Sequence, residues 1–114
     1  MPIQLPTAQA LKLWHDVNLA QVHEDQADLS VRQLTILLTV YMEAPPHTIR
    51  DLARKLKVSK PVITRALDTM GKLDLVARRR DETDRRNVLV QRTVKGALYL
   101  DRLASLIGRH AKNL

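Results

Sequence analysis

Six arginines fall within the fifteen residues from Arg78 to Arg92. Arg78-Arg79-Arg80 comes first, Asp81-Glu82-Thr83-Asp84 interrupts, Arg85-Arg86 follows, and Val88-Leu89-Val90 leads on to Arg92. A plain basic tail is all charge and stays disordered. Here the order is arginine cluster, polar turn, arginine pair and apolar run, which predicts a β-hairpin with cations at its tip. The chemistry offered by such a tip is the binding of a polyanion.

The charge of the chain is distributed in the same sense. The formal total is +7, yet residues 1–44 hold two bases against five acids, while residues 45–114 hold 17 bases against 7 acids. A basic second half points to a polyanion-binding face, with nucleic acid the expected polyanion, although a merely solvated basic face has the same composition. Other chemistries are poorly served. The absence of cysteine excludes disulfides, thiolate metal sites and thiol redox sensing. His15, His23, His47 and His110, with Glu24 and Asp25, have no recognised metal-ligand spacing, so neither a metal nor another cofactor is expected. No glycine-rich phosphate loop, nucleophile elbow or paired-carboxylate arrangement is present, and an enzyme is not expected. The start Met1-Pro2-Ile3-Gln4-Leu5-Pro6 does not read as a signal peptide, and no apolar run approaches membrane-spanning length. The expected location is the cytoplasm, with no membrane partner.

The elements that must position the arginines can be read from caps and periodicity. A chain of 114 residues is one domain by length, and with one Trp, two Tyr and no Phe its core must be Leu, Ile, Val and Ala. Thr7 to about Val22 is helical, with Ala10, Leu13, Trp14, Val17 and Ala20 at helical spacing. Ser30 and Gln33 form a capping box that opens a second helix to about Met42, apolar on most sides and therefore central. Pro45-Pro46 stops it. Thr48 caps a short helix from Ile49 to about Leu56, Lys57-Val58 turns, and Ser59 caps a fourth helix to about Lys72 with Pro61 in its first turn. Strands follow at Leu75 to Arg79 and Val88 to Arg92, and Thr93 caps a last helix.

A short helix, a tight turn, a second helix and a basic hairpin make a mainly α, winged helix-turn-helix fold, with about five helices and a two-stranded β wing. The B-DNA major groove admits one helix and distinguishes all four base pairs on its floor. On a helical wheel, Val62, Ile63, Ala66, Leu67, Met70 and Leu73 share the core face of the fourth helix. Pro61, Thr64, Arg65, Asp68 and Lys72 lie opposite, with Ser59 and Lys60 at the N-terminal end, free for DNA. Arg65 suits a bidentate contact to guanine, or a salt bridge to Asp68, or a phosphate.

From about Leu29 to Gly96 the chain resembles the MarR family of bacterial transcription regulators. The matching residues are Gln33-Leu34 and Leu37, Asp51-Leu52-Ala53-Arg54-Lys55-Leu56, Val58-Ser59, and Val62 through Asp68. The most specific stretch is Leu75-Val76 with Arg78, Asp81, Asp84-Arg85-Arg86, Val88-Leu89-Val90, Thr93 and Gly96. The resemblance implies a dimeric DNA-binding regulator of double-stranded DNA, usually released by a small-molecule effector. It places Ser59, Lys60, Pro61, Thr64 and Arg65 at the family's major-groove contacts. It places Arg85 and Arg86 at the wing tip, one of them in the minor groove, with Asp84 orienting them. Trp14, His15, Arg32 and Tyr41 are candidate effector-pocket liners, although their spacing specifies no ligand.

The sequence departs from the family pattern in three places. Asp74 stands where glycine is usual, Arg92 stands where the residue before Thr93 is normally apolar, and only one helix follows Thr93. On that last helix Leu100, Ala104, Ile107, Ala111 and Leu114, with Leu103 beside them, form a seam stepping by 4, 3, 4, 3. With a second seam on the first helix, it makes a platform for a homodimer. The expected organisation is a DNA-binding lobe at 29–93 with terminal helices at 1–28 and 94–114 for dimerisation. A winged-helix module binding an acidic protein partner is the alternative from another class.

Overall fold

The computed structural model describes residues 2–114. Five helices and two strands follow in order: α1 (Thr7–His23), α2 (Val31–Met42), α3 (Ile49–Leu56), α4 (Lys60–Lys72), β1 (Val76–Arg80), β2 (Val88–Arg92) and α5 (Val94–Lys112). They fall into two compact units, one from Leu29 to Leu100 and one formed by the segments up to Asp28 and from Asp101 onward.

The larger unit is a winged helix. Its core joins Ile36, Leu37 and Val40 of α2 to Leu52 of α3, to Ile63, Leu67 and Met70 of α4, and to Val90 of β2. The capping box at the start of α2 is formed: the Ser30 hydroxyl accepts the Gln33 N–H at 3.1 Å and the Gln33 amide oxygen accepts the Ser30 N–H at 2.8 Å. The central place expected for α2 holds along its middle, but Val31 and Met42 at its two ends are exposed. The Thr48 hydroxyl caps α3 by accepting the Asp51 N–H at 3.0 Å. Ser59 stands at the N-cap position of α4 in extended geometry, yet its side chain makes no capping hydrogen bond.

Both turns that set α4 in place close with a left-handed residue. Lys57 (φ 57°) ends α3, and the Val58 N–H reaches the Ala53 carbonyl at 3.1 Å. Asp74 (φ 59°) follows α4, with the Asp74 N–H on the Gly71 carbonyl at 3.0 Å and the Leu75 N–H on the Met70 carbonyl at 2.9 Å. This paired bonding across a left-handed residue is the Schellman arrangement, which satisfies carbonyls that a helix end leaves open. It also explains why β1 begins at Val76 and not at Leu75: the Leu75 amide is spent on closing α4.

The wing is an antiparallel pair in which Val76 faces Arg92 and Arg80 faces Val88. Val76 and Val90 are buried, while Arg78, Arg79 and Arg80 are exposed. Where β2 meets α5, the Tyr41 hydroxyl accepts the Thr93 N–H at 2.7 Å and lies 2.7 Å from the Thr93 carbonyl and 3.3 Å from that of Leu75. The Thr93 hydroxyl donates to the Asp74 carbonyl and accepts the Gly96 N–H, capping α5. Arg92 turns back onto α2, donating to the Val40 and Glu43 carbonyls at 3.0 and 3.2 Å and lying over the Tyr41 ring. A cation on the open carbonyls of a helix C-terminus is favourable, which accounts for an arginine before Thr93. Because Gly96, Tyr99 and Leu100 pack within the larger unit, that unit takes in the first turns of α5, beyond residue 93.

In the smaller unit, Val17, Leu103 and Leu106 are buried. An ion pair of 3.8 Å joins Arg102 to Glu24. No helix among the described residues is long and apolar enough to cross a membrane.

Candidate nucleic-acid interface

The face of α4 turned away from the core carries the side chains expected there. Ile63, Ala66, Leu67 and Met70 are buried, whereas Ser59, Lys60, Pro61, Arg65 and Asp68 are exposed and Thr64 is half-buried. Asp68 does not pair with Arg65. It accepts an ion pair from Arg78 of β1 at 2.8 Å, which ties the recognition-helix candidate to the wing. The Arg65 guanidinium therefore has no carboxylate partner among the described residues and is left for an external acceptor.

The wing tip is built from its own acids. Asp81 accepts the N–H and the hydroxyl of Thr83 at 3.0 and 2.7 Å, and the Asp81 N–H reaches the Asn87 carbonyl. The Asp84 carboxylate accepts the backbone N–H of Arg86 at 3.1 Å, and both of its oxygens take the Arg86 guanidinium, at 3.0 and 3.1 Å. The acidic stretch is thus a pair of turn locks, and it fixes Arg86 in particular. Arg85 is held by its backbone, whose carbonyl accepts from Arg80 at 2.6 Å. The Arg86 side chain and then its N–H hold the Asp84 carboxyl below its ordinary value against desolvation, with a lesser contribution from the charge of Arg50. The same pairing raises Arg86. The Thr83 hydroxyl and N–H lower Asp81 likewise.

The two halves of the expected site meet. Lys60 and Thr64 of α4 border the same recess as Arg86 and Asn87 of the wing. Arg50, from the first turn of α3, borders it too, and sequence reasoning passed over this residue. A signal was present: a cation in a helix's first turn is locally unfavourable.

Tyr41 is engaged with Thr93, Arg32 borders a recess beside Val62 and Arg65, and Trp14 and His15 are exposed on α1. His15 pairs with Asp16 and His47 with the Glu43 carbonyl. No three His, Asp or Glu among the described residues converge to hold a metal ion. On α5, Leu100 packs on the core of the larger unit, Leu103 is buried, Leu114 is half-buried, and Ala104, Ile107 and Ala111 are exposed. The buried face runs through Leu103 and Leu106, so the expected seam straddles its edge.

Residues 29–88, just over half of the chain, match the sequence model of the MarR family. No curated protein matches the chain in sequence. Among solved structures, the MepR–DNA complex of S. aureus superposes with a TM-score of 0.72 at 21% identity, over 90% of this chain and 79% of that one. A MarR mutant from E. coli gives 0.67 at 23% identity, over 99% and 88%. The transcriptional regulator Tm0710 of Thermotoga maritima gives 0.64 at 20% identity, over 91% and 68%.

Proposed function

The chain belongs to the MarR family, and from that premise we propose that it is a sequence-specific, homodimeric DNA-binding transcription regulator. In this reading α4 enters the major groove and the wing enters the adjacent minor groove. The observation that carries it is the convergence of Lys60 and Thr64 with the Asp84-locked Arg86 on one recess. Arg65, unpaired on the same helix, is the base reader, since a bidentate arginine–guanine contact discriminates by about 1–3 kcal/mol. The similarity to a regulator solved on DNA supports the docking.

Dimerisation is supported by the apolar surface outside the DNA-binding lobe. At about 100° per residue, Leu11, Trp14, Leu19 and Val22 of α1 fall on one side, opposite Leu13, Val17 and Ala20. The first four are exposed and Val17 is buried. A helix with a buried apolar face and a second, exposed one is suited to a partner. The same exposed face of α4 lacks the large apolar anchors that a protein-binding surface would carry, which favours DNA over an acidic protein.

The test is duplex selection from a random pool, followed by affinity measurements at several salt concentrations. A palindromic consensus is expected, with log affinity falling steeply against log salt as phosphate contacts release counterions. A slope near zero would sink the DNA reading.

A further inference from the structure

Cations from three different elements border one recess of about 210 Å³: Arg50 from the first turn of α3, Lys60 from the start of α4 and Arg86 from the wing. No carboxylate lines it. Neither Arg50 nor Lys60 has an ion-pair partner among the described residues; Asp84 of the wing feels the charge of Arg50, but its carboxylate is hydrogen-bonded to Arg86. Charges of one sign crowded on a recess repel each other. Arg50 and Lys60 also sit in helix first turns, where the macrodipole disfavours a cation; Asp51 offsets this in α3, but α4 has no acid in its first turn. Local rules broken together at one place mark a functional site. All of these costs reverse when an anion occupies the recess.

The shape of DNA says which anion. A helix in the major groove and a wing in the next minor groove straddle the sugar–phosphate backbone that separates the grooves, so that backbone must pass the junction of α3, α4 and the wing. The recess has room for a phosphate and a few waters, each taking about 30 Å³. Thr64 and Asn87 add polar donors to the cations.

We propose that this recess seats one backbone phosphate of the bound duplex, gripped by Arg50, Lys60 and Arg86, with Arg50 as the contact that only this seat employs. The proposal rests on the DNA-binding reading above. The seat is independent of sequence, so Arg50 supplies affinity and register, while base choice stays with α4.

The experiment compares wild type, Arg50→Lys and Arg50→Ala on the selected duplex and on a scrambled one, across salt concentrations. Arg50→Ala should bind both duplexes about tenfold more weakly, and its salt slope should fall by roughly one per bound subunit. Arg50→Lys should keep most of the slope. Arg50 is exposed and crowded by other cations, so thermal melting of Arg50→Ala should not fall. Methylphosphonate placed singly along each strand should identify one phosphate per half-site whose neutralisation erases the difference between wild type and Arg50→Ala. An unchanged slope in Arg50→Ala, with a steep wild-type slope, would overturn the seat and leave DNA binding intact. A flat wild-type slope would overturn the parent reading instead. Weakening confined to the selected duplex would make Arg50 a base reader, and micromolar binding of inorganic phosphate would make the recess a small-anion site; either result overturns the proposal.

Discussion

Asp84 and Arg86 hold one another at the wing tip through three hydrogen bonds, two of them from the guanidinium. A carboxylate so paired keeps its proton off to lower pH than an ordinary one near 3.9. The folded pKa lies below the unfolded one, so the contribution of the pair is fully present above the ordinary value and is lost as pH falls through the lowered one. Carboxyl-resolved NMR titration should therefore give Asp84 a midpoint below the usual aspartate range. Arg86→Ala should move that midpoint upward, and a midpoint unmoved by the substitution would mean that another group holds Asp84. At this scale the sequence was informative about local turns and less so about partners distant in the chain. The spacing of Asp84 and Arg86 put them in one tight turn, which is a local matter. The Asp68–Arg78 bridge and the place of Arg50 depend on how α3, α4 and β1 come together, which no local spacing encodes.

Elements were legible wherever a side chain closes on its own neighbourhood. Ser30 with Gln33 and Thr48 with Asp51 are such cases, and both caps form as their spacing predicts. Ser59 has the right type and the right position but makes no such bond. The start of β1 was displaced by one residue because the Leu75 amide closes α4. Asp74 shows the same tertiary preference: it takes the left-handed geometry for which glycine is better suited, and its carbonyl is then bound by the Thr93 hydroxyl. Gly96 is the counterpart at the far side of that junction. A Cβ there would run into the Tyr41 hydroxyl and the Leu75 carbonyl, with the ring carbon Cζ at 2.9 Å. The tyrosine cannot retreat without giving up the Thr93 N–H, and the carbonyl belongs to the closing turn of α4. Gly96→Ala should therefore destabilise the fold by about 3 kcal/mol, the upper part of the overpacking range. Chemical denaturation checks this, and a loss under about 1 kcal/mol would show that the junction can open at little cost.

For the molecule as a whole, the decisive question is what covers the apolar surface that one chain leaves open. Leu11, Trp14, Leu19 and Val22 on α1 are exposed, and on α5 Ile107 is 39% exposed while Leu103 and Leu106 are buried. An isolated exposed apolar residue is ordinary, but one whole side of a helix is a candidate interface. A two-fold pairing through this surface would also give DNA recognition its reach, since two recognition helices read half-sites about one helical turn apart, roughly 34 Å. Ile107→Glu separates pairing from folding, because the side chain is already partly in water and a charge there burdens only the paired state. The variant should sediment as a monomer and retain the helical content of the wild type. It should also lose affinity for a palindromic duplex by far more than for a single half-site, because the second half-site no longer binds at high effective concentration. A variant that stays dimeric would place the interface elsewhere. A monomer with undiminished affinity for the full palindrome would show that each lobe reads DNA alone, and the open face of α1 would then require another partner.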